Sequence, residues 1–156
     1  MKPYASNKDE DVKSYPYSIC PNHRQTLQPN IKMGYKYYNP NPKNKKTSDC
    51  VIRAICRISG MDWESAYLAL STVVLSEYEM PSSNYIWETY LKSLGYRKTL
   101  LPNTCPECYR VRDFAADNPR GFFVACTGSH VVAVVDGTYY DAWDSGDEVV
   151  SYFFSQ

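Results

Sequence analysis

Apolar positions fall at helical spacing up to about residue 117 and in short, Gly-bounded runs after it, so helices are expected first and strands last. The densest apolar run, Val51-Ile-Arg-Ala-Ile-Cys-Arg-Ile58, follows Thr47-Ser-Asp49 and ends at Gly60. All three preceding residues are good N-caps and Gly is a natural helix stop, so a helix is predicted to start at Cys50. With Val51, Ile52, Ala54, Ile55, Cys56 and Ile58 it is apolar on most sides, which belongs in the middle of a domain.

Asp62 caps a second helix, with Trp63, Ala66, Tyr67 and Leu70 at helical spacing, which ends near Tyr78 ahead of Pro81. Ser82-Ser83 opens a third through Tyr85, Ile86, Tyr90, Leu91 and Leu94, stopped by Gly95. A short fourth helix over 109–117 carries Val111, Phe114 and Ala115 and is closed by Asn118-Pro119. Residues 122–127, 130–135, 138–143 and 149–154 then read as successive antiparallel strands separated by Gly-containing turns, with Asp136-Gly137 a strong hairpin signal. Helices followed by strands make the fold class α+β.

Residues 1–46 look irregular: prolines at 3, 16, 21, 29, 40 and 42 break any helix, and residues 31–38 offer one short strand. The expected organisation is an irregular Pro/Asn/Lys-rich arm over 1–40 and a single domain over 41–156.

Composition narrows the function classes. The chain has 17 Lys and Arg and 17 Asp and Glu, but 11 of the cations and only 4 of the acids lie in residues 1–60. No Lys/Arg run exceeds two residues, so the halves are expected to neutralise each other on folding, and no nucleic-acid partner is expected. The apolar runs are too short to span a bilayer and Met1 leads into Lys, Asp and Glu, so no membrane association and a cytoplasmic location are expected. Six cysteines in such a chain argue against a disulfide framework.

Candidate chemistry centres on Cys50, where the helix dipole favours a thiolate. His130, at the start of a strand, is the expected base, since only His23 competes with it. The Asp136-Gly137 turn then brings Asp141 and Asp144 back towards the imidazole, giving the layout of an activated thiol nucleophile. A strict two-residue turn puts Asp141 on the face of His130, whereas a longer turn or a bulge favours Asp144. Cys56 and Cys126 are expected in the core, as are Trp87 and Trp143, although both tryptophans have the shape to wall a substrate groove.

Asp49-Cys50 leading the apolar helix, Gly128-Ser-His130-Val-Val-Ala-Val-Val in one strand and Tyr140-Asp-Ala-Trp-Asp144-Ser-Gly in the next resemble the papain-like cysteine peptidases, especially compact bacterial and phage C39-like members. The likeness runs from about Tyr38 to the C-terminus. It departs from papain itself at Val51, where Trp or Tyr is common. The resemblance implies a papain-like fold, with the Cys-bearing helix packed on a C-terminal antiparallel sheet. It implies Asp144 as the orienting acid, with Asp141 the alternative from strand pairing. It also implies Asn44, six residues before Cys50 and in place of the commoner Gln, as an oxyanion donor. The implied activity is peptide or other amide-bond hydrolysis through a thioester, on a peptide or protein substrate and with no cofactor required.

Two further readings follow from the residues. Cys20-Pro-Asn-His23 and Cys105-Pro-Glu-Cys108 have the spacing of ligand pairs, and together they would form a structural Cys₃His zinc site. A protein-binding module on the same fold, with a vestigial triad and a Tyr-rich contact surface, is the alternative to an enzyme.

Overall fold

The computed structural model describes residues 34–102 and 107–156. Its elements are β1 (Gly34–Tyr37), α1 (Cys50–Ser59), α2 (Trp63–Glu77), α3 (Asn84–Ser93), β2 (Arg97–Leu100), α4 (Val111–Asp117), β3 (Phe122–Cys126), β4 (Val131–Val135), β5 (Thr138–Asp141) and β6 (Tyr152–Ser155). The four helices match the apolar periodicity. Asp62 caps α2 by accepting from the Ser65 N–H at 2.7 Å, and Gly60 closes α1 in the left-handed region.

One six-stranded sheet has the order β1-β5-β4-β3-β6-β2, antiparallel except for β1 beside β5. The α+β class is as expected, with three refinements. The last strand does not follow β5 across the sheet but crosses to pair with β3 and β2. β2, whose Arg-Lys-Thr-Leu carries no strand pattern, forms because it lies along β6 at the edge. The strand expected over 31–38 is a parallel edge strand over Gly34–Tyr37.

The sheet is covered on both faces. Ile52, Ile55 and Cys56 of α1 pack with Trp87 and Leu91 of α3 against Val124, Cys126, Val131, Ala133 and Phe154. On the other face, Val111, Phe114 and Ala115 of α4 meet Ala125, Val132, Val134 and Tyr139. β4 is buried on both sides, which explains why it reads Val-Val-Ala-Val-Val rather than alternating. Cys56 and Cys126 are core residues, and burial pushes the Cys56 thiol up to about 11 and that of Cys126 higher still. Trp87 is in the core, but Trp143 is 47% exposed, contrary to expectation.

The geometry that matters for chemistry comes from one hairpin. Asp136 and Gly137 have φ of 49° and 73°, a two-residue turn with both central residues left-handed. It pairs Val135 with Thr138 and Ala133 with Tyr140. That strict register brings Asp141, at the end of β5, to the side of the hairpin on which His130 precedes β4. The backbone of β1 fixes the position further, because Tyr38 N–H donates to the Asp141 carbonyl at 2.7 Å.

Among the described residues, no helix is long and apolar enough to cross a membrane.

Candidate active site

Cys50 is the first residue of α1 and is half-buried. Arg53 N–H to Asp49 carbonyl, 2.9 Å, is the first helical hydrogen bond, so the N–H groups of Cys50, Val51 and Ile52 have no helical acceptor. Asp49 does not cap them with its side chain. Its carboxylate is taken by Arg53 through one oxygen and by Trp63 Nε1 at 2.9 Å through the other.

The imidazole of His130 lies between the thiol and Asp141. His130 Nε2 is 2.5 Å from Asp141 Oδ2. Nε2 therefore donates to the carboxylate and leaves Nδ1 for the sulfur, and this single tautomer suits a base facing a thiol. Burial alone would push the imidazole down, but its bonds to Asp141 and Cys50 and their charges outweigh it and raise His130 to about 9. Burial would likewise raise Cys50. The bond to His130, its charge, the Val131 backbone N–H and the Arg53 charge instead hold the thiol below its ordinary value. The two shifts have one physical origin: across their hydrogen bond each group favours the charged form of the other, in a partly dry site.

Asp141 is 1% exposed. Burial disfavours its charge, yet His130 and the Ala142 N–H keep its carboxyl below the usual range. Its Oδ1 also accepts from Arg53 Nη2 at 3.0 Å. Arg53 thus joins two buried carboxylates, Asp141 and Asp49. Cys50, His130, Asp141, Arg53 and Asp49 form a line of alternating charge, with Trp63 at its far end. Pairing of each charge with the next is what permits so many ionised groups below the surface.

Two expected residues are not part of this arrangement. Asp144 lies past the strand end, exposed, where its Oδ1 accepts from Tyr139 Oη at 2.7 Å and from Gly146 N–H at 3.1 Å. The strict turn, with no bulge to shift the register, leaves Asp144 away from the imidazole and sets Asp141 against it. Asn44 is exposed at φ 49° and closes a turn on Asn41. Its Oδ1 accepts from Asn39 Nδ2 at 3.0 Å and it does not line the cleft at Cys50. That cleft, of about 400 Å³, is instead walled by Lys46, Thr47, Ser48, Ser129, Ala142 and Trp143 around Cys50 and His130. Trp143 leans on the His130 ring, 5.3 Å between centroids, which explains its exposure: it forms a lip of the cleft.

Of the proposed zinc ligands, Cys20, His23 and Cys105 lie outside the described residues. Cys108 is half-buried with a free thiol.

Sequence reasoning missed Arg53, Asp49 as a charge partner, and Trp63. One signal was present: Arg53 interrupts an apolar run at the position one turn from Asp49, an i,i+4 acid–base pair at a helix start. Comparison with protein-family models, curated proteins and solved structures finds no match to the chain.

Proposed function

We propose that the chain is a cysteine peptidase or related amide-bond hydrolase that works through a thioester, with a papain-like arrangement of its site. The observation that carries this reading is the Cys50–His130–Asp141 line at the N-terminus of a buried helix, beside an open cleft. In the proposed reaction the Cys50 thiolate attacks the substrate carbonyl carbon, forming the C–S bond while the carbonyl π pair moves to oxygen. In this reading the Cys50 N–H, which has no helical acceptor, donates to the developing oxyanion. The His130 imidazolium gives its Nδ1 proton to the amine nitrogen as the C–N bond breaks, which leaves the thioester. Water, deprotonated by the now neutral His130, then attacks the thioester and releases the acid and the thiol. Asp141 holds the tautomer and stabilises the imidazolium throughout. An amine in place of water would make the same site an acyl transferase.

The test is acid-quenched intact mass spectrometry during incubation with a peptide mixture. An acyl adduct on Cys50 that is absent in Cys50→Ala supports the reading, and no adduct and no cleavage across a broad mixture would sink it.

A second reading, a protein-binding module, draws on α2 and the turn after it, where Leu68, Leu75, Tyr78 and Met80 are 65–96% exposed. It predicts that Cys50→Ala leaves the protein's biological effect intact.

A further inference from the structure

The Cys50–His130–Asp141 line does not end at its acid. Arg53 Nη2 donates to Asp141 Oδ1 at 3.0 Å, and Nη1 of the same guanidinium pairs with Asp49 Oδ1. Trp63 Nε1 donates to the other Asp49 oxygen at 2.9 Å, so both oxygens of that carboxylate are taken. Asp49, Arg53 and Asp141 are each at most 6% exposed, so salt and water screen their charges little.

An arginine bonded to the acid that orients a histidine works against that acid. By itself it would cancel the Asp141 charge, and the imidazole would face a neutral ion pair instead of an anion. Asp49 reverses this. Two carboxylates share one guanidinium, so the buried trio keeps one negative charge in excess. Arg53 can then hold Asp141 in place while the trio still attracts the imidazolium. Arg53 also helps to hold the Cys50 thiol low, and without Asp49 that pull would be unopposed.

The surroundings offer no substitute for this carboxylate. Asp141 meets Arg53 from α1, His130 from the approach to β4, and Tyr35 from β1, whose hydroxyl donates to the Asp141 carbonyl at 3.4 Å. The buried Ser145 adds a hydroxyl from the loop after β5. Beside Asp49, α2 contributes Trp63 and Tyr67, and α3 contributes Ile86 and Trp87, to the cavity of about 460 Å³ between α1, α2 and α3. On α1 itself the Asp49 charge also reaches the Cys56 thiol, which burial keeps protonated. Among the described residues, Asp49 is the one carboxylate that lines either this cavity or the Cys50 cleft. The lysines there, Lys45 in the cavity and Lys46 in the cleft, are exposed, so solvent screens them.

Resting on the peptidase reading above, we propose that Asp49 is a positioning residue of the site, whose charge, relayed through Arg53, sets the pH range over which Cys50 and His130 are both charged. A nearby negative charge favours imidazolium and opposes thiolate. Asp49 therefore carries both limits of the range, loss of the Cys50 proton and loss of the His130 proton, to higher pH. Its removal should move both to lower pH. A residue that merely supported the fold would act otherwise: loosening the site parts Cys50 from His130 and sends the Cys50 limit up, towards that of an ordinary thiol.

The experiment compares the full chain with Asp49→Asn, which keeps the shape and removes the charge. Iodoacetamide alkylation of Cys50, followed by mass spectrometry across pH, reads the first limit. NMR of the ring-labelled imidazoles reads the second; the chain has two histidines, and His23→Gln assigns them. In Asp49→Asn, rates on the acid limb, taken relative to the plateau, should be about threefold or more above wild type, and His130 should lose its proton at a pH lower by about half a unit or more. Asp49→Ser makes the same change of charge with a residue favoured at a helix start, and carries the same expectation should Asp49→Asn fail to fold. In a variant that melts cooperatively, an unmoved His130, or a Cys50 limit that stays or rises, would overturn the inference and leave the peptidase reading standing. A wild-type Cys50 no more reactive than an ordinary thiol at any pH would overturn the peptidase reading, and this inference with it.

Discussion

Asp141→Asn is the sharpest perturbation of the site, because it removes one charge while keeping the shape. The carboxylate sits 2.5 Å from His130 Nε2, and with it the imidazole is raised from 6.5 to about 9. That difference corresponds to about 3 kcal/mol in favour of the imidazolium at ~1.4 kcal/mol per pKa unit. In the variant only the bond and charge of Cys50 remain to oppose burial, so His130 should lose its proton at a lower pH than in the wild type. The amide adds a second effect. If its oxygen keeps Arg53 and the Ala142 N–H, its NH₂ faces Nε2, forcing the proton onto Nδ1 and leaving no lone pair for the thiol. Cys50 should then lose the bond and charge that hold its thiol low, leaving burial to push it up, and should react no faster than an ordinary thiol, of which only about 1% is thiolate at pH 6.5. Iodoacetamide alkylation of Cys50, followed by mass spectrometry from pH 5 to 10, should show a neutral plateau in the wild type. In the variant the rate at pH 6.5 should be about 100-fold lower, with the rise moved into the alkaline range. Thermal melts of both proteins check that folding is retained. Superimposable profiles would refute the reasoning, since they would mean that Asp141 does not govern the imidazole.

The remaining predictions concern the support of this site. Arg53→Met leaves Asp49 and Asp141 buried without their shared cation and should cost about 3–5 kcal/mol in denaturant unfolding. Asp144→Asn should leave the Cys50 alkylation profile unchanged, because its partners are Tyr139 and Gly146 rather than His130. Stability should also depend on pH at both ends. The depressed Asp141 contributes stability that is present above the ordinary carboxyl range near 3.8 and lost as pH falls through its lower folded value. The raised His130 contributes stability that is present below 6.5 and lost as pH rises through about 9. Melting temperatures across pH should therefore fall on both sides for the wild type, and Asp141→Asn should flatten both arms.

The sequence carried the helices well because each has a physical punctuation mark: Asp62 before α2, Gly60 after α1, Asn118-Pro119 after α4. It carried the hairpin better still, since Asp136-Gly137 is a strong signal for a two-residue turn with both residues left-handed. The register of that turn favours Asp141, and the expectation of Asp144 came from the family comparison instead. Where the reading fell short, the cause was non-local. β2 exists only because β6 returns to the far side of β3, a pairing that no local pattern encodes. Asn44 lies off the Cys50 cleft because, left-handed at the end of the Asn41–Asn44 turn, its amide oxygen accepts from Asn39. Arg53 looked like a polar break in a core helix until the fold brought Asp141 to its guanidinium, 88 residues along the chain. Trp143 was expected in the core on its size, but the loop after β5 holds it over the imidazole at the surface.

The most direct test of the central claim is the rate of Cys50 alkylation near pH 6, compared with that of the other cysteines and repeated in His130→Ala. The account predicts that Cys50 alone reacts fast, that buried Cys56 and Cys126 are inert, and that removing the imidazole slows Cys50 by about 100-fold, to the rate of an ordinary thiol. A Cys50 that reacts slowly in the wild type, or at the same rate with and without His130, would contradict it.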